Sequence, residues 1–181
     1  MKIALVNPPP LRRIERDDLP FYPHLGLGYL ASSLGKNGFD EILIVDAKLE
    51  RKNIQDVLYD LQLFKPEVVG ITAMTHEIIQ ASKLSEQVKK LLPHCETIIG
   101  GVHTSILPQQ TLEEFPSFDY GISNEGEITL PLLFSALIQK KDLDKIPSLS
   151  YRSDGFVKTT PSSDLMHDLD SIPFPAWNRF P

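Results

Sequence analysis

Residues 98–109 read IIGGVHTSILPQ. Two β-branched residues run into a glycine pair. A small apolar residue, a histidine, two hydroxyl residues and a proline complete the stretch. Ile98 and Ile99 do not alternate with polar residues, which is the mark of a strand buried on both faces. A strand of that kind that ends on Gly100-Gly101 has two readings. It is a tight turn with a solvated histidine, or it is backbone cleared for the close approach of a large flat ligand.

Reading outward from this stretch, short apolar runs alternate with helical patterns. Upstream, residues 76–92 place Ile78, Ala81, Leu84, Val88 and Leu91 on one helical face. PEVVGIT (66–72) reads as a strand, and NIQDVLYDLQLF (53–64) as a helix with Ile54, Val57, Leu58 and Leu61 inward. EILIVDA (41–47) is a strand. Residues 24–38 form a helix through Leu27, Leu30, Ala31 and Leu34, stopped at Gly38. KIALVN (2–7) is the first strand. Downstream come a short helix at 109–115, the strand FDYGIS (118–123) and a helix at 130–139, with Pro131 acceptable in its first turn.

Strands covered on both faces and joined by helices make an α/β doubly wound parallel sheet. Five such repeats with right-handed crossovers predict the flavodoxin-like order 2-1-3-4-5 over residues 1–145. Residues 146–181 differ. PSLSYRSDGFVKTT (147–160) reads as a β-hairpin turning at Asp154-Gly155. Residues 161–181 carry four prolines and no period, and read as an extended linker leading to a further domain.

Composition narrows the partners. The 181 residues are 41% hydrophobic and 23% charged, with net charge −6 and basic residues dispersed. No concentrated basic face is available for nucleic acid, so a small molecule or a protein is the expected partner. The lone Cys95 excludes an internal disulfide and a thiolate cluster and fits a reducing, cytoplasmic setting. The amino-terminal apolar run is too short for a signal peptide, and no run reaches the about 20 residues that cross a bilayer.

Ligands of open parallel sheets bind beyond the carboxyl ends of the strands. After the first strand, Asn7-Pro8-Pro9-Pro10 opens a polar loop reaching to Pro20, either a surface excursion or a lid. After the third come Thr72-Ala73-Met74-Thr75, small enough for close approach; Thr75 serves equally as a helix cap. After the fourth come Gly100, Gly101, Val102, His103 and Thr104. After the fifth comes Glu125-Gly126-Glu127. Acids suit a helix start, and Glu125 suits ligand hydroxyl or amide protons, while the pair disfavours phosphate. Gly26-x-Gly28 is a bare pair without the dinucleotide pattern, and no Walker loop, HExxH, GxSxG or CxxC occurs. His24, His76, His94 and His167 are scattered.

In order, NPPP, PHLGLGYLASSLGKNGFDEILIVDA, PEVVGITAMT, IIGGVHTSILPQQTL and FDYGISNEGEITLPLL resemble the amino-terminal cobalamin-binding domain of cobalamin-dependent radical SAM enzymes. SIPFPAWNRFP resembles the linker ahead of their catalytic barrel. The resemblance implies a domain that holds cobalamin base-off, with its dimethylbenzimidazole tail beside the sheet. It implies contacts from Pro8 and Pro9, from Thr72, Ala73, Met74 and Thr75, from Gly100, Gly101, Val102, His103 and Thr104, and from Glu125, Gly126 and Glu127. The DxHxxG motif that supplies a histidine below cobalt is absent, as in the radical SAM branch. The CxxxCxxC motif is absent too, so S-adenosylmethionine and a [4Fe-4S] cluster belong to a longer parent, a methyltransferase or oxidative cyclase with a radical SAM domain downstream. The rival is a docking or substrate module of the same ancestry that no longer binds cobalamin. An FMN domain wants a hydroxyl-rich phosphate loop where prolines stand. A phosphorelay receiver wants an aspartate where Thr72 stands.

Overall fold

The computed structural model describes residues 1–10, 22–162, 166 and 168–180. The stretch to Pro20 considered as a lid, and His167, lie outside the described residues. Seven strands form one sheet in the order β2-β1-β3-β4-β5-β6-β7. β1 (Ile3–Asn7), β2 (Ile42–Asp46), β3 (Val68–Thr72), β4 (Glu96–Gly100) and β5 (Tyr120–Ile122) are mutually parallel, in the order that the strand–helix alternation predicts. β6 (Leu149–Ser153) and β7 (Phe156–Thr159) are the predicted hairpin. It turns through positive φ at Asp154 and Gly155, as that dipeptide favours. The hairpin extends the sheet, with β6 antiparallel to β5.

Helices cover both faces. α2 (Ile54–Phe64), α3 (Ile78–Leu91) and α5 (Pro108–Glu114) pack on one through Val57, Leu61, Ala81, Leu84, Val88 and Leu112. α1 (Leu25–Lys36) and α6 (Gly126–Gln139) pack on the other through Leu27, Ala31, Leu34, Leu130, Leu133 and Phe134. Alternation along β1 divides the cores: Ala4 and Val6 face α2 and α3, while Ile3 and Leu5 face α1 and α6.

Three expectations change. A helix, α4 (Val102–Ile106), starts directly after Gly101, ahead of the one expected from residue 109. Pro108 cannot donate to the helical ladder, so the chain breaks at Leu107 and α5 begins on the proline. α6 begins at Gly126, which puts Pro131 inside the helix rather than in its first turn. The proline leaves the Glu127 carbonyl without its helical donor. Ser33 of α1 supplies one, its Oγ 2.8 Å from that oxygen.

Residues 168–180 lie within the stretch read as a linker and are packed rather than free of the domain. They fold back on α1 through two one-turn 3-10 helices, Leu169–Ser171 and Trp177–Arg179. The Ala176 N–H donates to the Gly28 carbonyl at 3.0 Å. A Cβ on Gly28 would lie 2.9 Å from Pro175 and 3.1 Å from the Phe180 ring. Gly28 is therefore a crossing point between helix and tail.

Replacing Ser33 with alanine leaves a buried carbonyl unpaired and is expected to cost about 1–3 kcal/mol in a urea unfolding measurement. In a Pro131→Ala background, which restores the backbone donor, the same change should cost clearly less. An equal cost in both backgrounds contradicts this account of the mid-helix proline.

Candidate functional site

A cleft of about 420 Å³ opens at the carboxyl edge of the parallel strands and runs under α1 and α6. Its floor is a row across the sheet in which Gly70 pairs with Leu5 on one side and Ile98 on the other. Leu5 and Ile98 both face α1 and α6, so Gly70 presents bare backbone to that face. Leu27 and Leu30 of α1 and Leu130 of α6 form the walls. Gly126 lets the helices close up, since a Cβ there would lie 2.9 Å from Leu30 Cδ2.

The mouth is polar and the depth apolar. His24, Lys48, Glu77, Asn124 and Glu127 stand at or near the opening. Lys48 and Glu77 form an ion pair. Burial alone would push the Glu77 carboxyl up; hydrogen bonds from Lys48 and from the Met74 N–H, at 3.0 Å, more than offset this and hold it below the usual carboxylate value. Burial pushes the Glu127 carboxyl up, aided by the Glu125 charge. Burial pulls the His24 imidazole below its ordinary value, although the Asp46 carboxylate opposes this. Exposed Met74 and Val102 flank the opening.

Of the residues singled out from the sequence, Thr72, Ala73, Met74, Gly100, Gly101, Val102, Gly126 and Glu127 line the cleft. Pro8 and Pro9 are buried and do not line it. His103 is turned inward, only 6% exposed, with Nδ1 3.3 Å from Thr75 Oγ1, so it is not a solvated loop histidine. Thr75 does not cap α3, which has no side-chain cap; the Glu77 carboxylate instead accepts the Met74 N–H and closes the 3-10 turn Thr75–Glu77 ahead of it. Thr104 is fully buried, and its Oγ1 has no partner among the described residues. Glu125 Oε2 accepts the Met166 N–H at 2.7 Å and so ties the corner to the tail.

Gly101 lines the cleft for a backbone reason. Its φ is +96°, and a Cβ would lie 2.7 Å from the Ala73 carbonyl and 2.9 Å from the Ala73 nitrogen. The glycine lets the ends of β3 and β4 meet, where the Ala73 N–H donates to Gly100 O at 3.0 Å and the His103 N–H to Ala73 O at 3.2 Å. Gly100 has open space, its nearest neighbour being the Ile122 carbonyl at 3.8 Å.

Sequence reasoning missed Gly70, His24, Lys48, Asn124 and the leucine walls. Gly70 carried a signal: a glycine inside VVGIT weakens a central strand unless something must approach its backbone.

A sequence profile of the B12 binding domain matches residues 19–134. An uncharacterized methyltransferase of Pyrococcus horikoshii is 33% identical over all of this chain and 39% of its own length. The anaerobic magnesium-protoporphyrin IX monomethyl ester cyclase of Rubrivivax gelatinosus is 31% identical over 86% of this chain and 29% of its own. The chain thus spans well under half of either relative. Among solved structures, the cobalamin-dependent S-adenosylmethionine radical enzyme OxsB, with aqua-cobalamin and S-adenosylmethionine bound, superposes with TM-score 0.81 at 24% identity, over 98% of this chain and 24% of that one. That likeness establishes the fold.

Gly101→Ala is expected to destabilise the chain by about 1–2 kcal/mol or more, from the left-handed backbone and the overlap with Ala73. Gly100→Ala should stay within about 0.5 kcal/mol. Thermal unfolding of the two variants checks this, and equal losses refute the assignment of Gly101 to the β3–β4 junction.

Proposed function

The chain belongs to the B12-binding domain family, and from that premise we propose that its cleft receives the dimethylbenzimidazole tail of cobalamin in the base-off state, with no histidine below the cobalt. The observation that carries this reading is the bare floor at Gly70, enclosed by leucine walls and reached through a polar mouth. A flat aromatic base suits an apolar slot, and the polar linkage behind it suits the mouth. At about 420 Å³ the cleft is the size of an appendage rather than of a whole corrinoid, so the corrin ring lies outside, against the edge that Met74 and Val102 flank.

The residues fit such a group. At Gly70 the floor has no side chain of its own, the nearest being Leu5 Cδ2, 3.2 Å from where a Cβ would stand; Lys48, the one cation lining the cleft among the described residues, is paired with Glu77. When bound, cobalamin supplies a redox-active cobalt. The chain's own residues orient it: the β3 and β4 corners carry the ring edge, while Leu27, Leu30 and Leu130 exclude water from the tail. Thr72 and Gly100 would contact the linkage between ring and base.

The parent is a radical SAM enzyme, a methyltransferase or an oxidative cyclase, in which residues 1–145 are the cobalamin module and residues 146–181 lead to the radical SAM domain. S-adenosylmethionine and the [4Fe-4S] cluster are held by that domain. Cys95 does not hold the cluster: it is buried on the α2–α3 side, and burial pushes its thiol up to about 12, which keeps it protonated. A single cysteine with no second to pair with fits a cytoplasmic setting. No helix among the described residues is long and apolar enough to cross a membrane.

Purified chain mixed with hydroxocobalamin should keep its colour through gel filtration and show a base-off spectrum. Gly70→Val supplies a strand-forming residue, asks only Leu5 Cδ2 to give way, and fills the floor, so it should fold and lose at least tenfold in affinity. Colourless wild-type protein favours the docking-module reading. Undiminished uptake by a folded Gly70→Val places the tail elsewhere.

A further inference from the structure

His24 stands at the mouth of the cleft as the last residue before α1. Its backbone is fixed: the N–H donates to Asp46 Oδ2 at 2.8 Å, and the Asn7 amide holds the other Asp46 oxygen at 2.8 Å. Its ring is not. Nδ1 is shielded from solvent and has no hydrogen-bond partner among the described residues. The ring lies over the first turn of α1, where a Cβ on Gly26 would come within 3.3 Å of Cε1. The charged groups around it are committed or belong to another wall. Lys48 and Glu77 pair with each other, Asp46 is held by Asn7 and backbone N–H groups, and Glu127 approaches from α6. A polar atom withdrawn from water without a partner is costly, and at a cleft wall the missing partner is naturally a ligand atom.

We propose that His24 is a positioning contact for the ligand, its Nδ1 hydrogen-bonding a primary amide on the edge of the corrin ring. The inference rests on the cobalamin reading above. Burial favours the neutral imidazole, and a neutral imidazole matches a neutral amide, which offers an N–H or a carbonyl to either tautomer. A phosphate would call for a free cation; among the described residues the cleft offers only Lys48, which is paired, and Glu127 faces the same space. The apolar depth accepts the flat base and leaves the amide-bearing ring at the level of His24.

The test compares wild type, His24→Gln and His24→Phe by absorbance titration with hydroxocobalamin and with dicyanocobinamide, which lacks the nucleotide tail. Circular dichroism and urea midpoints confirm that the variants fold. The phenylalanine variant is expected to bind both corrinoids roughly fivefold to tenfold more weakly, the worth of one hydrogen bond. The glutamine variant, which can still bond an amide, should lose less than about threefold on the same scale. The bound spectrum should stay base-off throughout. Undiminished binding by a folded His24→Phe overturns the inference and leaves the cobalamin reading standing. A loss confined to hydroxocobalamin overturns the amide assignment. An imidazole–cobalt spectrum in wild type that disappears in His24→Phe overturns it by making the residue an axial ligand. Failure of wild type to bind either corrinoid removes the cobalamin reading along with it.

Discussion

A glycine in the middle of a central strand governs this structure. β3 lies between β1 and β4, and on the face toward α1 and α6 its central position, Gly70, carries no side chain between Leu5 and Ile98. A core normally fills such a place, because an unfilled apolar void forfeits dispersion contacts. Here α1 and α6 approach each other through Leu30 and Gly126 yet leave the floor between them open to the carboxyl edge. The cost of that gap is expected at a binding site and has no evident structural return.

The rim is built so that the opening persists. Gly101 brings the ends of β3 and β4 within van der Waals reach and starts α4 without an intervening loop. Glu77 caps the turn after β3 and holds Lys48. Asp46 gathers the turn after β2 and the entry to α1 through Asn7, Leu49 and His24. Asn124, at φ +60°, donates its N–H to Ser105 at 2.8 Å and links the β4 and β5 corners. These contacts join the strand ends and turns around the rim.

Much of the fold was legible because it rests on local pattern. Strands buried on both faces, amphipathic helices and the Asp154-Gly155 turn leave marks within a few residues. The strand order followed from chirality and crossover rules. What was not legible depends on distant partners. The proline inside α6 is tolerated because Ser33, nearly a hundred residues upstream, satisfies the carbonyl it orphans. The tail at 168–180 has no period, yet it packs because Gly28 lets Pro175 and Phe180 approach. At the site, the glycines and small residues of the β3 and β4 corners were readable as a rim. The leucine walls looked like ordinary core, and His103 looked like a loop residue until the turn at Gly101 folded it against Thr75.

The central claim is that the base of the corrinoid tail lies on the Gly70 floor. At 20.4 kDa the chain suits methyl-detected magnetic resonance, and hydroxocobalamin is diamagnetic. Intermolecular nuclear Overhauser effects between the aromatic protons of dimethylbenzimidazole and the methyl groups of Leu5, Leu27, Ile98 and Leu130 read the placement directly. The account predicts those contacts. Contacts restricted to Met74 and Val102 at the mouth, with the four buried methyl groups undisturbed, would contradict it.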